Sequence, residues 1–158
     1  MATRYRFRVE AYERVFREVP HAELLGGEVY RMSPLGPKRF PMVLHLDHRL
    51  KEALGGKALV AVQSPLRLSE DSEPEPDLMV PKGPLERYGE RLPLVEVADT
   101  SLAFDREVKP PLYAKAGVLE VWIVNLKEGV LEAYREPKGG FTGACASIAG
   151  KPPGLPRG

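Results

Sequence analysis

The apolar residues of this chain recur at two different spacings. Three segments show the three- and four-residue spacing of a helical face and are predicted to be helices: residues 9–19, 42–54 and 108–116. The second is expected to end at Gly55-Gly56 and the third at Gly117, because glycine is a typical stop at the end of a helix.

Other segments are short apolar runs bounded by turn residues, which is the pattern of β-strands. These runs are residues 58–68, 77–80, 94–98, 120–125 and 130–135, and a turn followed by a strand is expected within 22–33. Because helices and strands are mixed along the chain, the predicted fold class is α/β (α+β), with a central mixed β-sheet flanked by helices.

The chain of 158 residues is long enough for one domain with a real core. We expect a single domain over residues 1–137, including the N-terminal helix. From Lys138 onward the sequence shows neither spacing, so residues 138–158 are expected to be an irregular or disordered tail.

Two carboxylates interrupt the strand-like runs. Asp77 lies in PEPDLMV, and Glu96 lies in PLVEVADT. An ionised side chain within an apolar strand is costly unless something pairs with it. If the two strands are neighbours, the carboxylates are close enough to share one divalent cation. The alternative for Glu96 is an exposed position on an edge strand.

A lysine follows these carboxylates at position 109. It shares a helical stripe with Leu112, Tyr113 and Ala116, so a continuous helix turns it toward the sheet. Two carboxylates and a lysine are what metal-assisted hydrolysis of a phosphodiester requires, namely oxygen ligands for a hard cation and a positive charge near the attacking water or the phosphate. The alternative is a lysine that extends to water at the start of a helix.

The charge of the chain is nearly balanced, at +1, so any nucleic-acid surface must be local. Residues 31–57 hold six Lys or Arg against two acids, whereas residues 69–77 hold five acids and no base. This asymmetry suits a phosphate-facing surface beside a cation pocket, although separated charge blocks are more often solvated loops.

Composition also bounds the cellular location. No apolar run approaches the roughly 20 residues that span a bilayer, so no membrane partner is expected. The single cysteine, Cys145, cannot form an internal disulfide, which agrees with a reducing compartment. A cytoplasmic protein is expected.

Two further groups of polar residues are weaker candidates. His45 and His48 have a spacing that can place two imidazoles on one metal, but no third soft ligand is apparent, so ordinary histidines are favoured. Glu28, in GGEVYRM, is a third carboxylate beside apolar residues, although glutamates next to turns are common.

Four blocks, taken in order, carry a resemblance to a known family: ELLGGEVYRMSP, PEPDLMV, PLVEVADTSLAFDREVK and PLYAKAGVLEVWIVNL. They resemble the Uma-two (Uma2) family of putative restriction endonucleases, part of the PD-(D/E)XK nuclease superfamily, over roughly residues 23–134. The resemblance implies a restriction-endonuclease-like core. It also implies that Pro76-Asp77 is the "PD", Glu96 the second acidic ligand and Lys109 a lysine displaced onto the following helix. Glu28 matches the acidic position of the family's GEV block and is expected to complete the site.

The chain departs from the family's pattern at three places. Residues 38–40 (Lys-Arg-Phe) stand where a histidine usually precedes the helix. Two prolines follow Lys109 where one is expected a residue later, and the sequence after about residue 138 does not resemble the family's closing strands.

The expected function is therefore Mg²⁺- or Mn²⁺-dependent hydrolysis of DNA by an endonuclease. Asp77 and Glu96 are the expected metal ligands, and Lys109 and Glu28 the further catalytic residues. DNA is the expected partner, and a homodimer would suit cutting of two strands.

Two alternatives from other classes stay open. A nuclease-like module that binds nucleic acid or protein without turnover would not need a cation at these carboxylates. A structural protein would instead bridge its buried carboxylates to Arg or Lys side chains.

Overall fold

The structure is a computed structural model that describes residues 2–32, 37–55, 59–81, 91–99, 107–135 and 142–147, with backbone alone for 81, 91–93 and 142–147. Within these residues the helices are α1 (Val9–Phe16), α2 (Arg39–Leu54) and α3 (Lys109–Lys115). The strands are β1 (Ala22–Leu25), β2 (Glu28–Arg31), β3 (Ala61–Val62), β4 (Leu78–Pro81), β5 (Arg91–Ala98), β6 (Glu120–Asn125), β7 (Val130–Arg135) and β8 (Thr142–Ser147).

Strands β3 to β8 form one sheet in the order of the sequence. The β5–β6 pair is parallel, and the other neighbouring pairs are antiparallel. The helical segment between β5 and β6 returns the chain so that these two strands run in the same direction. The predicted class, a mixed sheet flanked by helices, is confirmed.

The sheet buries both of its faces. Along β5, Val95 and Val97 pack with the buried residues of α2, whereas Leu94 and Ala98 pack with Tyr113 of α3. Side chains of a strand alternate between faces, so the apolar run of β5 serves two cores. Glu96 shares the face of Leu94 and Ala98, which is the face that α3 covers.

Strands β1 and β2 form a separate hairpin. Its turn is Gly26-Gly27, with φ of 60° and 83°, a conformation that favours glycine. A Cβ atom on Gly27 would lie 2.6 Å from Cβ of Arg6, so glycine also permits the close approach of the N-terminal segment.

A third cluster of apolar residues joins the hairpin to α1. Val9 and Tyr12 of α1 pack with Ala22 and Leu24 of β1. The backbone of Leu24 also exchanges hydrogen bonds with that of Glu73, at 2.7 and 3.2 Å, and this tie fixes the hairpin beside the segment that leads to Asp77.

The segment 58–68 differs from the continuous strand that its sequence predicts. Of residues 59–68, which the structure describes, only Ala61–Val62 pair with β4, because Gln63 has a φ of 46° that takes the backbone out of the extended conformation. Beyond it, Leu66 N donates to Pro74 O at 2.9 Å. This part of the chain therefore supports residues 72–74 rather than the main sheet.

The expected irregular tail also needs a correction. Thr142–Ser147 lie within residues 138–158 and form β8, antiparallel to β7 in continuous register. The segment TGACAS is too small and too weakly patterned to signal a strand, but its backbone can pair with the edge of β7. The remaining residues of that tail lie outside the described part of the chain.

No helix in the described ranges has the length and apolar character needed to cross a bilayer.

Candidate active site

Asp77 stands immediately before β4 and is 5 % exposed. Leu78 pairs with Val95, so Asp77 lies level with Glu96 on the neighbouring strand. Its Oδ2 accepts a hydrogen bond from the backbone N–H of Val97 at 2.7 Å. A backbone donor cannot move away, so it fixes this carboxylate at the end of the strand.

Glu96 points from the middle of β5 into the core on the α3 side and is 2 % exposed. Its Oε1 accepts a hydrogen bond from the Tyr113 hydroxyl at 2.6 Å and lies 3.3 Å from Nζ of Lys109. Two donors on one oxygen compensate for the hydration that the carboxylate has lost. The alternative of an exposed edge position for Glu96 is excluded.

Lys109 is the first residue of α3, and its side chain is 4 % exposed. Its Nζ lies 3.0 Å from Oε1 of Glu23 as well as 3.3 Å from Oε1 of Glu96. Pro110 and Pro111 sit in the first turn of α3, where a backbone N–H is not required, so they allow the helix to begin at the lysine. The lysine faces the sheet, as its helical stripe indicates, and does not extend to water.

Glu23 is the site residue that the sequence did not identify. It lies in β1, all four residues of which are buried, and is 2 % exposed. Its Oε1 accepts a hydrogen bond from the backbone N–H of Glu75 at 2.6 Å, and its buried Oε2 has no hydrogen-bond partner among the described residues. The sequence feature that could have identified Glu23 is its position directly before the apolar pair Leu24-Leu25.

Glu28 is placed elsewhere. Its carboxylate lies 2.9 Å from Nη1 of Arg4 and accepts a hydrogen bond from the Tyr30 hydroxyl at 2.9 Å. The Tyr30 hydrogen bond, followed by the charges of Arg4 and Arg6, lowers the pKa of Glu28 although partial burial opposes this. The structure brings Lys109 to Glu96 and sets Asp77 level with Glu96, whereas the Glu28 carboxylate contacts Arg4 and Tyr30.

An acidic cleft of about 250 Å³ opens between α1 and residues 65–75. Its lining includes Glu75, whose backbone N–H donates to Glu23. Burial, followed by a hydrogen bond with Glu13, raises the pKa of Glu73 to about 7. Burial and the charge of Glu23 raise the pKa of Glu75, and the charge of Lys109 opposes this rise. The cleft and the site are thus electrostatically connected through Glu75.

The donor atoms of the site suit a hard divalent cation. Asp77, Glu96 and Glu23 offer only oxygen, and Mg²⁺ is commonly held by one or two carboxylates together with waters. The unpartnered Oε2 of Glu23 is an oxygen that a cation would satisfy. Among the described residues no group of three or more His, Cys, Asp or Glu side chains is arranged to hold a metal ion. The site therefore suits Mg²⁺ by the chemistry of its oxygen donors and not by a complete ligand arrangement.

The histidines of α2 do not contribute to the site. His48 lies 3.2 Å from Oε1 of Glu52 in an exposed contact along the helix. Both His45 and His48 are exposed, which agrees with the ordinary histidines that their sequence favours.

A mixed sheet with helices on both faces, and buried carboxylates beside a lysine, define a protein with a nuclease-like fold. The fold is similar to the crystal structure of a putative nuclease belonging to DUF820 from Anabaena variabilis. The two match with a TM-score of 0.68 at 14% sequence identity, over 87% of this chain and 83% of that chain. At this level of identity the likeness concerns the fold alone.

The sequence carries the more specific relationship. The model of the Uma2 family, described as putative restriction endonucleases, matches residues 9–146. The chain belongs to this family, and the resemblance of its four sequence blocks is confirmed. No curated protein matches the chain.

Proposed function

We propose that the protein is an endonuclease that hydrolyses phosphodiester bonds in DNA with the help of Mg²⁺ or Mn²⁺. Asp77 and Glu96 would hold the cation. The observation that carries this proposal is the position of Lys109, whose Nζ lies within 3.3 Å of two buried carboxylates, that of Glu23 on β1 and that of Glu96 on β5, the strand next to Asp77. Family membership supports the same reaction class.

Each residue has a distinct role in this proposal. A bound divalent cation supplies polarisation of the phosphoryl oxygen and a more acidic water. The backbone N–H of Val97 holds the Asp77 carboxylate in place, and the Tyr113 hydroxyl does the same for Glu96. Lys109 contributes a fixed positive charge beside the reacting phosphate.

The stability cost of the cluster also supports a functional role. Replacing a buried ion pair by well-packed apolar residues is often neutral or stabilising. A cluster of Glu23, Glu96 and Lys109, each at most 3 % exposed, is therefore a costly way to fill a core. A role in binding a charged substrate or cation gives a reason for it.

The contacts of Lys109 favour one second candidate, a structural role. The lysine bridges Glu23 and Glu96, as expected for carboxylates that only need a counter-charge. In that case the variants that remove Asp77 or Glu96 would change stability alone, because there would be no activity to lose.

Cleavage of supercoiled plasmid DNA tests the proposal. Wild-type protein should convert the plasmid to nicked and linear forms with Mg²⁺ or Mn²⁺, and chelation should stop the reaction. Asp77→Ala and Glu96→Gln should be inactive, although each should show the cooperative thermal unfolding of a folded protein. A folded wild type that leaves the plasmid intact with both metals would refute the nuclease, and full activity of Asp77→Ala would remove Asp77 from the mechanism.

The same assay addresses the assembly. A homodimer, proposed because two strands must be cut, should produce linear DNA without accumulation of nicked circles, and sedimentation should show twice the mass of the chain. A monomer that only nicks would contradict the dimer and leave the nuclease intact.

A further inference from the structure

Arg39 has no role in the site described so far, although it lies next to Asp77. It is the first residue of α2, and its side chain is only 17 % exposed. Its Nη2 lies 3.5 Å from Oδ2 of Asp77, which is longer than the roughly 2.7–3.2 Å of an ordinary N–H···O hydrogen bond. Its Nε is buried without a hydrogen-bond partner among the described residues.

This geometry leaves the guanidinium group incompletely satisfied. The Asp77 Oδ2 accepts a shorter hydrogen bond from Val97 N at 2.7 Å, so the Arg39 contact is the longer of these two. A buried donor without an acceptor costs free energy, and a small shift of the side chain toward a new acceptor would recover it. Nε and Nη2 lie on the same edge of the group and match two oxygens of one phosphate.

The neighbours of Arg39 also favour an anion. The first turn of α2 contains no acidic residue, and no side chain caps its N-terminus. The preceding residue, Lys38, is exposed. The contact with Asp77 places the guanidinium where the phosphate of a substrate must arrive if Asp77 holds the cation.

We propose that Arg39 binds the phosphate at the Asp77 site, with Nε and Nη2 as paired donors. This inference rests on the proposed function and adds a substrate contact to it. Arg39 lies within residues 38–40, where the sequence departs from the pattern of the family.

Binding of DNA in the presence of a chelator separates this contact from catalysis. A short fluorescent duplex would be titrated with wild type, Arg39→Ala, Arg39→Lys and Arg49→Ala at several salt concentrations. Arg49 lies on the same helix and is half-buried, so it controls for the loss of one positive charge and for effects on α2.

The expected result is a loss of about tenfold in affinity for Arg39→Ala, and a slope of log K against log salt that is smaller by about 1, because one phosphate contact is lost. Arg39→Lys should keep the slope but recover only part of the affinity, since a lysine cannot offer a paired edge. Arg49→Ala should match wild type in both.

Equal losses for Arg39→Ala and Arg49→Ala would overturn the inference, because any positive charge would then suffice. A folded Arg39→Ala variant with the wild-type slope and the wild-type affinity would also overturn it while plasmid cleavage still stood. Failure of wild type both to bind and to cut would instead remove the proposed function, and the inference with it.

Discussion

Two neighbouring groups of carboxylates differ in how their negative charge is compensated. The site cluster consists of Glu23, Asp77 and Glu96; the cleft cluster consists of Glu13, Glu73 and Glu75. In the site cluster, Lys109 and fixed hydrogen-bond donors face the carboxylates. In the cleft cluster, burial and Glu13 raise the pKa of Glu73 to about 7, so this group gains its proton as the pH falls through neutral.

The difference shows which carboxylates are suited to chemistry on an anionic substrate. A protonated carboxyl group does not attract a cation, whereas the carboxylates of the site cluster face a lysine and fixed hydrogen-bond donors. A lysine that already lies among them supplies positive charge in the absence of any ion. On the proposed function, cation binding therefore belongs to the site cluster, whereas the raised pKa of Glu73 indicates proton binding in the cleft cluster.

Among the variants that test this comparison, removal of Lys109 should have the largest effect on stability. Lys109→Met leaves Glu23 and Glu96 buried without their common partner, and breaking a buried ion pair from one side typically costs about 3–5 kcal/mol. The free energy of unfolding, measured with urea, should fall by this amount. DNA cleavage by any remaining folded protein should be lost.

Lys115→Met is the matched control, because Lys115 ends the same helix and is exposed. It should change stability by less than about 0.5 kcal/mol. If both variants are as stable as wild type, Lys109 does not compensate for the buried carboxylates.

A smaller effect is expected from Tyr113→Phe. This change deletes one hydroxyl from a fully buried ring and with it the 2.6 Å hydrogen bond to Glu96. A hydrogen bond to a charged group is worth about 1.5–3 kcal/mol, so stability should fall within that range. Unfolding in urea measures it, and a stability equal to that of wild type would show that Glu96 does not depend on this donor.

The cleft cluster should produce the smallest effect and one that depends on pH. The folded-state pKa of Glu73, about 7, lies above its ordinary value of 4.5, so between these values the folded protein binds more protons than the unfolded one. The contribution of this group to stability is therefore present at pH 4.5 and is lost as the pH rises through 7. Glu73→Gln should flatten that part of the curve and be more stable than wild type at pH 8.

Urea unfolding at pH 5 and pH 8 checks this expectation. Glu18→Gln, a change of the same kind at an exposed position after α1, should keep the wild-type difference between the two pH values. An identical pH dependence in wild type and Glu73→Gln would mean that Glu73 does not hold the proton.

Much of the site could be predicted because its residues break a simple pattern. Asp77 and Glu96 stand out in apolar runs, and Lys109 stands out on an apolar helical stripe. The register that brings them together follows from the pairing of β4 with β5, which the sequence suggests only as a possibility. Strands β6 and β7 agree with their predicted ranges because their turn is short and their apolar runs are clear.

The features that were missed depend on contacts between distant segments. Glu23 is buried because α1 and residues 72–75 cover β1, and a four-residue strand before two glycines carries no alternation that could reveal this. The strand β8 exists because the edge of β7 accepts its backbone, not because of its side chains. Arg39 stands where the sequence departs from the family's pattern, but its contact with Asp77 depends on the packing of α2.

The most direct test of the account is a calorimetric titration of Mn²⁺ into wild type, Asp77→Asn and Glu28→Gln. The account predicts that wild type binds Mn²⁺, that Asp77→Asn loses this binding while staying folded, and that Glu28→Gln retains it, because Glu28 contacts Arg4 and Tyr30. A folded wild type that binds no Mn²⁺, or an Asp77→Asn variant that binds it as wild type does, would contradict the assignment of the site cluster as a cation site.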